Sequence, residues 1–182
     1  MRMAIVDATT KLVVNSSLED ISVKEICEEA SISRSTFYYH FNDKFDIVQW
    51  HYDYVAEHNL FETGRTLTWF QAHYKNTYEV LRKEGLYKSA FESKGYQSLF
   101  SYSKRRRIET LKETVTEYKN EKLDQELGFQ IYALAESEVA SMSRWFKDGQ
   151  PFDFETLCRY LDGIVPKRLH DLLDDPVSPR LY

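Results

Sequence analysis

The stretch Ser33-Arg-Ser-Thr-Phe-Tyr-Tyr-His-Phe-Asn-Asp-Lys44 decides how this chain folds at its N-terminus. Ser33 is a favourable N-cap residue, so the residues after it, as far as Phe41, predict a short helix. Phe37 and Phe41 stand four residues apart and would anchor one face of that helix in a core. The aromatic and polar residues between them would then be exposed, which is costly unless a partner covers them.

Two further helices are predicted before this stretch. Apolar residues recur at helical spacing from Ala4 to Val14. Ser22, with Glu25 three residues later, forms the capping-box pattern that begins a second helix. Three short helices, the last of them capped and exposed on one side, are the arrangement of a helix-turn-helix, which places side chains of one helix in the major groove of DNA.

The sequence from Ser22 to Lys44 closely resembles the signature of the TetR family of transcription regulators. The resemblance is carried by the Ser that opens the second helix, the small polar turn around Ile32, and the run Thr36-Phe-Tyr-Tyr-His-Phe41 with a Lys three residues later. This motif is highly specific and covers about the first fifty residues. The remainder of the chain resembles the family only in its layout of helices.

The resemblance implies an all-α fold of two domains, with about nine helices in total. An N-terminal helix-turn-helix domain would occupy residues 1–45, and a C-terminal ligand-binding and dimerisation domain would occupy residues 46–182. A connector helix is expected at about residues 44–59, and a pair of dimerising helices at about 123–147 and 153–173. The interface residues expected on that pair are Ala135, Val139, Met142, Phe146, Leu157, Leu161 and Ile164.

The resemblance also assigns DNA contacts, position by position. The residues expected to face bases are Arg34, Ser35, Thr36 and Tyr39. Those expected to contact phosphates or the rim of the groove are Ser22, Lys24, Tyr38, His40 and Lys44. Many family members have Gly in the turn or at the start of the third helix, whereas this chain has Ile32 and Arg34, and Arg34 adds a potential base contact.

The charge of the chain limits how it can bind DNA. The formal net charge is −5, and acidic residues outnumber basic ones in the first fifty residues. Affinity for DNA without sequence preference depends on many Lys and Arg contacts to phosphate. We therefore expect weak non-specific binding, a shallow salt dependence, and tight binding only when two N-terminal domains act together.

The second half is rich in aromatic residues that either fill the core or line a ligand pocket. Those predicted to contact a ligand are Trp69, Tyr74, Tyr78, Tyr96, Phe100 and Tyr132. Glu136 and Glu138 could bond a polar ligand, but a solvent-facing position is favoured for both. The basic run Lys104 to Arg107 is interpreted in the same way, as a solvated helix face.

Several classes of protein are disfavoured by the sequence. There is no GxSxG motif, no phosphate-binding glycine loop and no Cys beside a His/Asp arrangement, so we do not expect an enzyme. The histidines lack metal-ligand spacing, and neither a metal nor a cofactor is predicted. The two cysteines lie far apart, and neither a signal peptide nor a membrane span is apparent. These features fit a cytoplasmic protein that does not contact membranes.

The sequence thus predicts a homodimeric repressor that binds a double-stranded DNA operator and responds to a small-molecule effector in its C-terminal domain. An alternative stays open: a TetR-like activator or co-regulator that acts mainly through protein partners. The acidic N-terminal domain favours the alternative, whereas the intact face from Arg34 to Lys44 favours direct DNA binding.

Overall fold

The computed structural model describes residues 1–94 and 98–175, and within these ranges the regular structure is helical. There are ten α-helices in this part of the chain, one more than the sequence predicts, together with a 3-10 turn (Leu60–Glu62) and a π-helical turn (Thr114–Tyr118). No helix among the described residues is long and apolar enough to cross a membrane. The helices are α1 (Arg2–Leu12), α2 (Val23–Glu29), α3 (Arg34–His40), α4 (Lys44–Ala56), α5 (Trp69–Leu81), α6 (Glu84–Glu92), α7 (Leu99–Glu113), α8 (Gln125–Lys147), α9 (Phe154–Gly163) and α10 (Lys167–Leu173).

The caps predicted for α2 and α3 are present. The Ser22 hydroxyl accepts a hydrogen bond from the backbone N–H of Glu25, whose carboxylate accepts one from the backbone N–H of Ser22. The Ser33 hydroxyl accepts from the backbone N–H of Thr36. Ser31 adopts a positive φ of 54° between these helices, which makes the turn tight enough for α3 to pack across α2.

Helix α4 is the connector, and it is shorter than predicted, since it ends at Ala56 rather than near residue 59. It packs against α1 on one side and against α5, α6 and α7 on the others. Five of its apolar or aromatic side chains are buried, at Ile47, Val48, Tyr52, Val55 and Ala56.

The core consists of two buried apolar clusters. The larger runs from Ile5 in α1 through α4 and α6 to Leu161 in α9. The smaller surrounds Trp69 and joins α7, α8 and α10. Because the larger cluster continues across residues 45 and 46, the domain boundary placed there stays a prediction and does not coincide with a break in the core.

The predicted final helix is divided in two by Pro166. Pro166 has no N–H to donate and disfavours the helical conformation of Val165, so α9 ends at Gly163 and α10 begins at Lys167. The predicted kink is therefore a complete break. Helix α10 packs against α8, and the Leu173 side chain at its end is fully buried.

We expect the substitution Gly64→Ala to destabilise the fold by about 1–3 kcal/mol. Gly64 has a φ of +76°, and an added Cβ would lie 2.7 Å from Leu173 Cδ2 and 3.1 Å from Leu173 Cα. The matched control is Gly128→Ala in α8, where no atom lies within 4 Å of the added methyl group. That change should raise the free energy of unfolding by about 0.5–1 kcal/mol, because Ala favours helices over Gly. Urea denaturation measures both, and equal effects of the two substitutions would contradict the close packing of α10 on Gly64.

Candidate DNA-binding surface and buried cavity

Helix α3 exposes the face that the sequence assigns to DNA. Phe37 and Phe41 are buried, with ring centroids 6.1 Å apart, and they fix the helix to the core. Tyr39 is 84% exposed and Tyr38 is 51% exposed. We call the set Arg34, Ser35, Thr36, Tyr38, Tyr39 and His40 the reading face.

The hydroxyls at the start of α3 form a local cluster. Ser33 Oγ lies 2.7 Å from Ser35 Oγ and 2.9 Å from Thr36 Oγ1. Each hydroxyl retains a lone pair or proton that can be redirected to a base edge or phosphate. The ring of Tyr39 packs edge-on against His40, with centroids 5.0 Å apart, which holds the tyrosine away from the core.

The basic residues of the first fifty positions are mostly engaged within the protein. Lys11 pairs with Glu29 at 3.0 Å and Lys24 pairs with Glu28 at 3.7 Å. Arg34 is exposed, and in the described part of the chain it has no ion-pair partner. Arg34 is thus an exposed cation on the reading face.

Lys44 is engaged within the chain, and its predicted phosphate contact stays a prediction. Its ammonium group donates hydrogen bonds to the backbone carbonyls of Glu19 and Ile21, at 2.8 Å for Ile21. The N-terminus of α4 is also occupied, because the Asp43 carboxylate accepts from the backbone N–H groups of Phe45 and Asp46. Lys44 therefore ties the α1–α2 loop to α4, a role that the spacing of the motif does not reveal.

A partly open cavity of about 40 Å³ lies between α4, α5, α6, α7, α8 and α9. We call it the central cavity. Polar and apolar residues both line it, and the accessible surface of its wall is mostly apolar. The polar residues are Tyr52, His73, Asn76, Tyr87, Ser103, Arg107 and Glu138.

A buried ion pair forms one side of the central cavity. Arg107 Nε donates to Glu138 Oε2 at 2.9 Å, and His73 Nε2 lies 2.6 Å from Glu138 Oε1. Arg107 also donates to the Leu60 carbonyl and stacks over the Trp69 ring at 4.7 Å. Burial alone would raise the pKa of Glu138, but Arg107 and His73 together lower it to about 2, so the carboxylate is ionised.

Two predictions about these charged residues are therefore wrong. Arg107 is only 1% exposed and Glu138 only 4% exposed, so neither belongs to a solvated face. A signal for Glu138 exists in the sequence, because it follows Leu134 by four residues and so shares the apolar side of α8. Glu136 is half-buried and pairs with Lys104 at 2.8 Å.

Of the aromatic residues predicted to bind a ligand, those in the described part of the chain do not line the central cavity. Trp69 is fully buried beside Arg107, while Tyr74, Tyr78 and Tyr132 are exposed on the outer faces of α5 and α8, and Phe100 is half-buried. Tyr96 lies outside the described residues. The sequence shows how aromatic residues are spaced along each helix, but not which helix faces meet around the cavity. The faces that do meet carry His73, Asn76 and Ser103.

The dimer-interface residues stay a prediction, and the structure shows how buried they are within one chain. Ala135, Val139, Phe146, Leu157 and Leu161 are at most 7% exposed within one chain. Leu157 and Leu161 nevertheless line a surface groove between α8 and α9. Val139, Met142 and Leu161 line the central cavity. Of the predicted set, Ile164 is exposed, at 46%. The apolar residues that α8 and α9 do expose are Phe129, Tyr132, Tyr160 and Ile164.

A group with metal-ligand chemistry lies apart from both surfaces. Single ligand atoms of Asp162, His170 and Asp174 all fall within 4.8 Å of one another, and His170 Nε2 lies 3.5 Å from Asp162 Oδ1. The sequence spacing did not predict this juxtaposition, which depends on the break in the chain between α9 and α10 at Pro166. Acid–histidine contacts of this kind are also common as simple ion pairs.

Helix α6 connects the central cavity to the N-terminal helices. Tyr87 in the cavity wall forms a 2.9 Å hydrogen bond with His51 Nδ1 on α4. Two residues further along α6, the Ser89 hydroxyl accepts a buried hydrogen bond of 2.7 Å from the backbone N–H of Leu18 in the α1–α2 loop. A shift of α6 at the cavity would therefore act directly on both the connector and the N-terminal domain.

The burial of His51 makes a testable contribution to stability. Burial, reinforced by the nearby Lys83, lowers the pKa of His51 from 6.5 to about 4. His51 therefore binds a proton below about pH 6.5 in the unfolded chain, but only below about pH 4 in the folded chain. Because the unfolded chain binds more protons between these values, the contribution of His51 to the free energy of unfolding is present above pH 6.5 and is lost as the pH falls toward 4.

We expect the substitution His51→Gln to flatten that pH dependence. Between about pH 7 and about pH 5 the parent protein should lose roughly 1–2 kcal/mol more of its free energy of unfolding than the variant. Urea denaturation at the two pH values measures the difference. His58→Gln, at an exposed position just after α4, is the matched control and should lose as much as the parent. Parallel curves for the parent and His51→Gln would contradict a neutral, buried His51.

Helices α1 to α3 form an N-terminal unit, called the head below, whose capped and exposed α3 gives it the arrangement of a helix-turn-helix. A helical bundle that contains the central cavity follows it. Comparison with known proteins agrees with this arrangement. Residues 5–49 match the model of the family described as bacterial regulatory proteins, tetR family. No curated protein sequence matches the chain.

Similarity in three dimensions extends over the whole chain. The solved structure of the protein named "Dihydroxyacetone kinase operon activator DhaS" superposes with a TM-score of 0.67 and 17% sequence identity, covering 97% of this chain and 98% of that chain. At this identity the likeness concerns the fold. The match at residues 5–49 agrees with the resemblance to the tetR family that the motif around α3 predicts for the N-terminal part of the chain.

Proposed function

We propose that this protein is a homodimeric, sequence-specific repressor whose DNA binding responds to a small molecule held in the central cavity. The observation that carries the DNA-binding part is the reading face: an exposed Arg34, with Tyr39 at 84% exposure, on a helix anchored from behind by the buried Phe37. Exposing these side chains does not stabilise the isolated protein. In a complex with DNA, the edge of a guanine or the methyl group of a thymine would cover them.

Dimerisation supplies the affinity that a weakly basic head lacks. Two heads on adjacent half-sites double the contacts with phosphate and with bases. The exposed apolar residues of α8 and α9 support an interface between copies, with Tyr160 at 60% exposure and Ile164 at 46% as its centre. The groove between these helices, lined by Ala140, Tyr160 and Ile164, fits an isologous partner.

Response to an effector would operate through α6. A molecule that displaces Tyr87 or Phe91 in the cavity wall would move α6, and Ser89 on the same helix is bonded to the α1–α2 loop. The same movement would alter the His51–Tyr87 contact with α4. The distance between the two heads of the dimer would then change. DNA binding requires a distance that matches one turn of DNA, so the ligand would control it.

A mobility-shift assay with the pure protein and the DNA upstream of its own gene tests the proposal. We expect a shift at nanomolar protein with specific DNA that survives excess unrelated DNA, and a complex containing two chains. DNA is cytoplasmic in bacteria, so a cytoplasmic location is part of the proposal. No shift with any fragment of the neighbouring DNA would overturn the DNA-binding part.

A second candidate is an activator or co-regulator that works mainly through a protein partner. The protein with the similar solved structure is named as an operon activator, and the negative charge of the present chain is consistent with weak DNA binding. This candidate predicts no shift by the pure protein and a shift once a second protein from the same cells is added. It also predicts lower transcription from the target promoter when the gene is deleted, whereas a repressor predicts higher transcription.

A further inference from the structure

A buried hydrogen-bond acceptor beside the central cavity has no partner. Asn76 on α5 lines the cavity and is only 5% exposed, and its Oδ1 atom is buried without a hydrogen-bond partner. Leaving a buried acceptor unsatisfied is costly, and native proteins rarely tolerate one without a functional reason. An occupant that donates a hydrogen bond to Asn76 would remove that cost.

The other polar groups at the cavity set the charge of the occupant. The positive charge of Arg107 is matched by the ionised Glu138, which also bonds His73. Arg107 Nη1 donates to the Leu60 carbonyl and to Thr63 Oγ1, at 2.9 Å and 3.3 Å, so most of the guanidinium is engaged. An anionic ligand would compete with Glu138 for the same donors, and a cationic ligand would have to lie beside Arg107, so an uncharged occupant fits best.

The volume and the apolar part of the wall set its size and shape. A cavity of about 40 Å³ has room for only a few water molecules, at about 10–15 Å³ each, and hence for a ligand of only a few non-hydrogen atoms. Carbon-bound hydrogens of that ligand would contact the apolar wall formed by Leu60, Val80, Phe91, Val139, Met142 and Leu161. The small volume and the apolar wall fit a short carbon chain, and the acceptor at Asn76 adds the need for a donor such as a hydroxyl group.

We infer that the effector is a small uncharged hydroxyl compound, such as a short polyol, which donates a hydrogen bond to Asn76 Oδ1. This inference rests on the proposed function for the role of the cavity as an effector site, but not for its chemistry. The hydroxyl hydrogen replaces the missing donor at Asn76, and the carbon chain lies against Phe91 and Val139. Arg107, Glu138 and His73 keep their contacts with one another. They give the cavity a polar side that does not require a charged ligand.

Titration of the full chain with three probes of one carbon skeleton tests the charge and the donor. The probes are glycerol, glycerate and 3-amino-1,2-propanediol, which are neutral, anionic and cationic. Protein-detected NMR should show saturable shifts of cavity residues with glycerol, and binding at least about tenfold weaker with the two charged probes. Stronger binding of either charged probe than of glycerol, or no saturable binding of glycerol, would overturn the inference.

The substitution Asn76→Leu tests the position of the hydrogen bond. Leu has a similar volume but no acceptor, so glycerol should bind at least about tenfold more weakly. Without ligand, the variant should melt at a higher temperature than the parent, because a buried unpaired acceptor has been removed; a merely structural Asn76 predicts a lower melting temperature. The control Lys75→Gln, an exposed neighbour on α5, should change neither property.

Measuring DNA binding with and without glycerol separates this inference from the proposed function. Glycerol binding that depends on Asn76 but leaves operator affinity unchanged would support the ligand class and contradict effector control. Operator binding that responds to an anionic compound and not to glycerol would leave the proposed function standing and overturn the ligand class. An equal response of the parent and Asn76→Leu proteins to glycerol would also overturn it.

Discussion

Replacing Arg34 with Ala should weaken operator binding by at least about thirtyfold in the dimer. A bidentate contact of Arg with guanine contributes about 1–3 kcal/mol, and a symmetric dimer loses it at both half-sites, for a total of about 2–6 kcal/mol. Arg34 can make this contact because it is exposed at the start of α3 and, among the described residues, has no ion-pair partner. Fluorescence anisotropy with labelled operator measures the change.

Two control variants distinguish a base contact from loss of charge. Lys24→Ala removes an exposed cation of the same head, and it should weaken binding to all sequences alike and lower the salt dependence. Arg82→Ala removes an exposed Arg beyond the end of α5 and should have no effect. Arg34→Ala should instead relax the preference for one base pair in each half-site. If all operator variants lose affinity equally with Arg34→Ala, the residue contacts phosphate and its assignment to a base is wrong.

The reading face was predictable because its signals are local. A cap at Ser33, two Phe residues at helical spacing and a run of exposed aromatic and polar residues all lie within twelve positions, and the structure realises them in α3. Local sequence also predicted the capping box at Ser22 and the effect of Pro166, although that effect proved to be a complete break between α9 and α10.

The central cavity could not be predicted because it depends on contacts between distant helices. His73 and Glu138 are separated by 65 positions, and Arg107 bonds Glu138 from a third helix. Viewed along the sequence alone, Arg107 belongs to a basic run and Glu138 to an acidic pair, and both suggest solvent. Only the pairing of α7 with α8 shows that their charges cancel inside the protein.

The dimer interface stays a prediction, because a related difficulty limits what the sequence can say about it. An amphipathic helix pattern indicates which face is apolar but not whether that face meets its own chain or another. In α8 the apolar face predicted to meet a partner is used within the chain, so Ala135 and Phe146 are buried there. The exposed Phe129 and Tyr132 lie on a different side of the helix, where isolated aromatic residues carry a weaker periodic signal.

Replacing Glu138 with Leu should lower the free energy of unfolding by about 3–5 kcal/mol, because it leaves the Arg107 guanidinium buried without its counter-charge. The double variant Arg107→Met/Glu138→Leu should recover most of that loss, since two apolar side chains of similar volume need no partner. Glu136→Leu, on the same helix in a half-buried pair with Lys104, is the matched control and should cost less than about 1 kcal/mol. Urea denaturation at neutral pH measures all three.

The pH dependence of the same proteins gives an independent test of the ion pair. Glu138 has a folded-state pKa of about 2, below its ordinary value of 4.5, so its contribution is present above pH 4.5 and is lost as the pH falls toward 2. Across this range the free energy of unfolding of the parent should therefore fall more steeply with pH than that of the double variant. Above pH 4.5 the Glu138 carboxylate should cause no difference in slope between the two proteins. If the double variant is as unstable as Glu138→Leu, or if the parent and double variant lose stability equally below pH 4.5, the buried charges do not interact as the geometry requires.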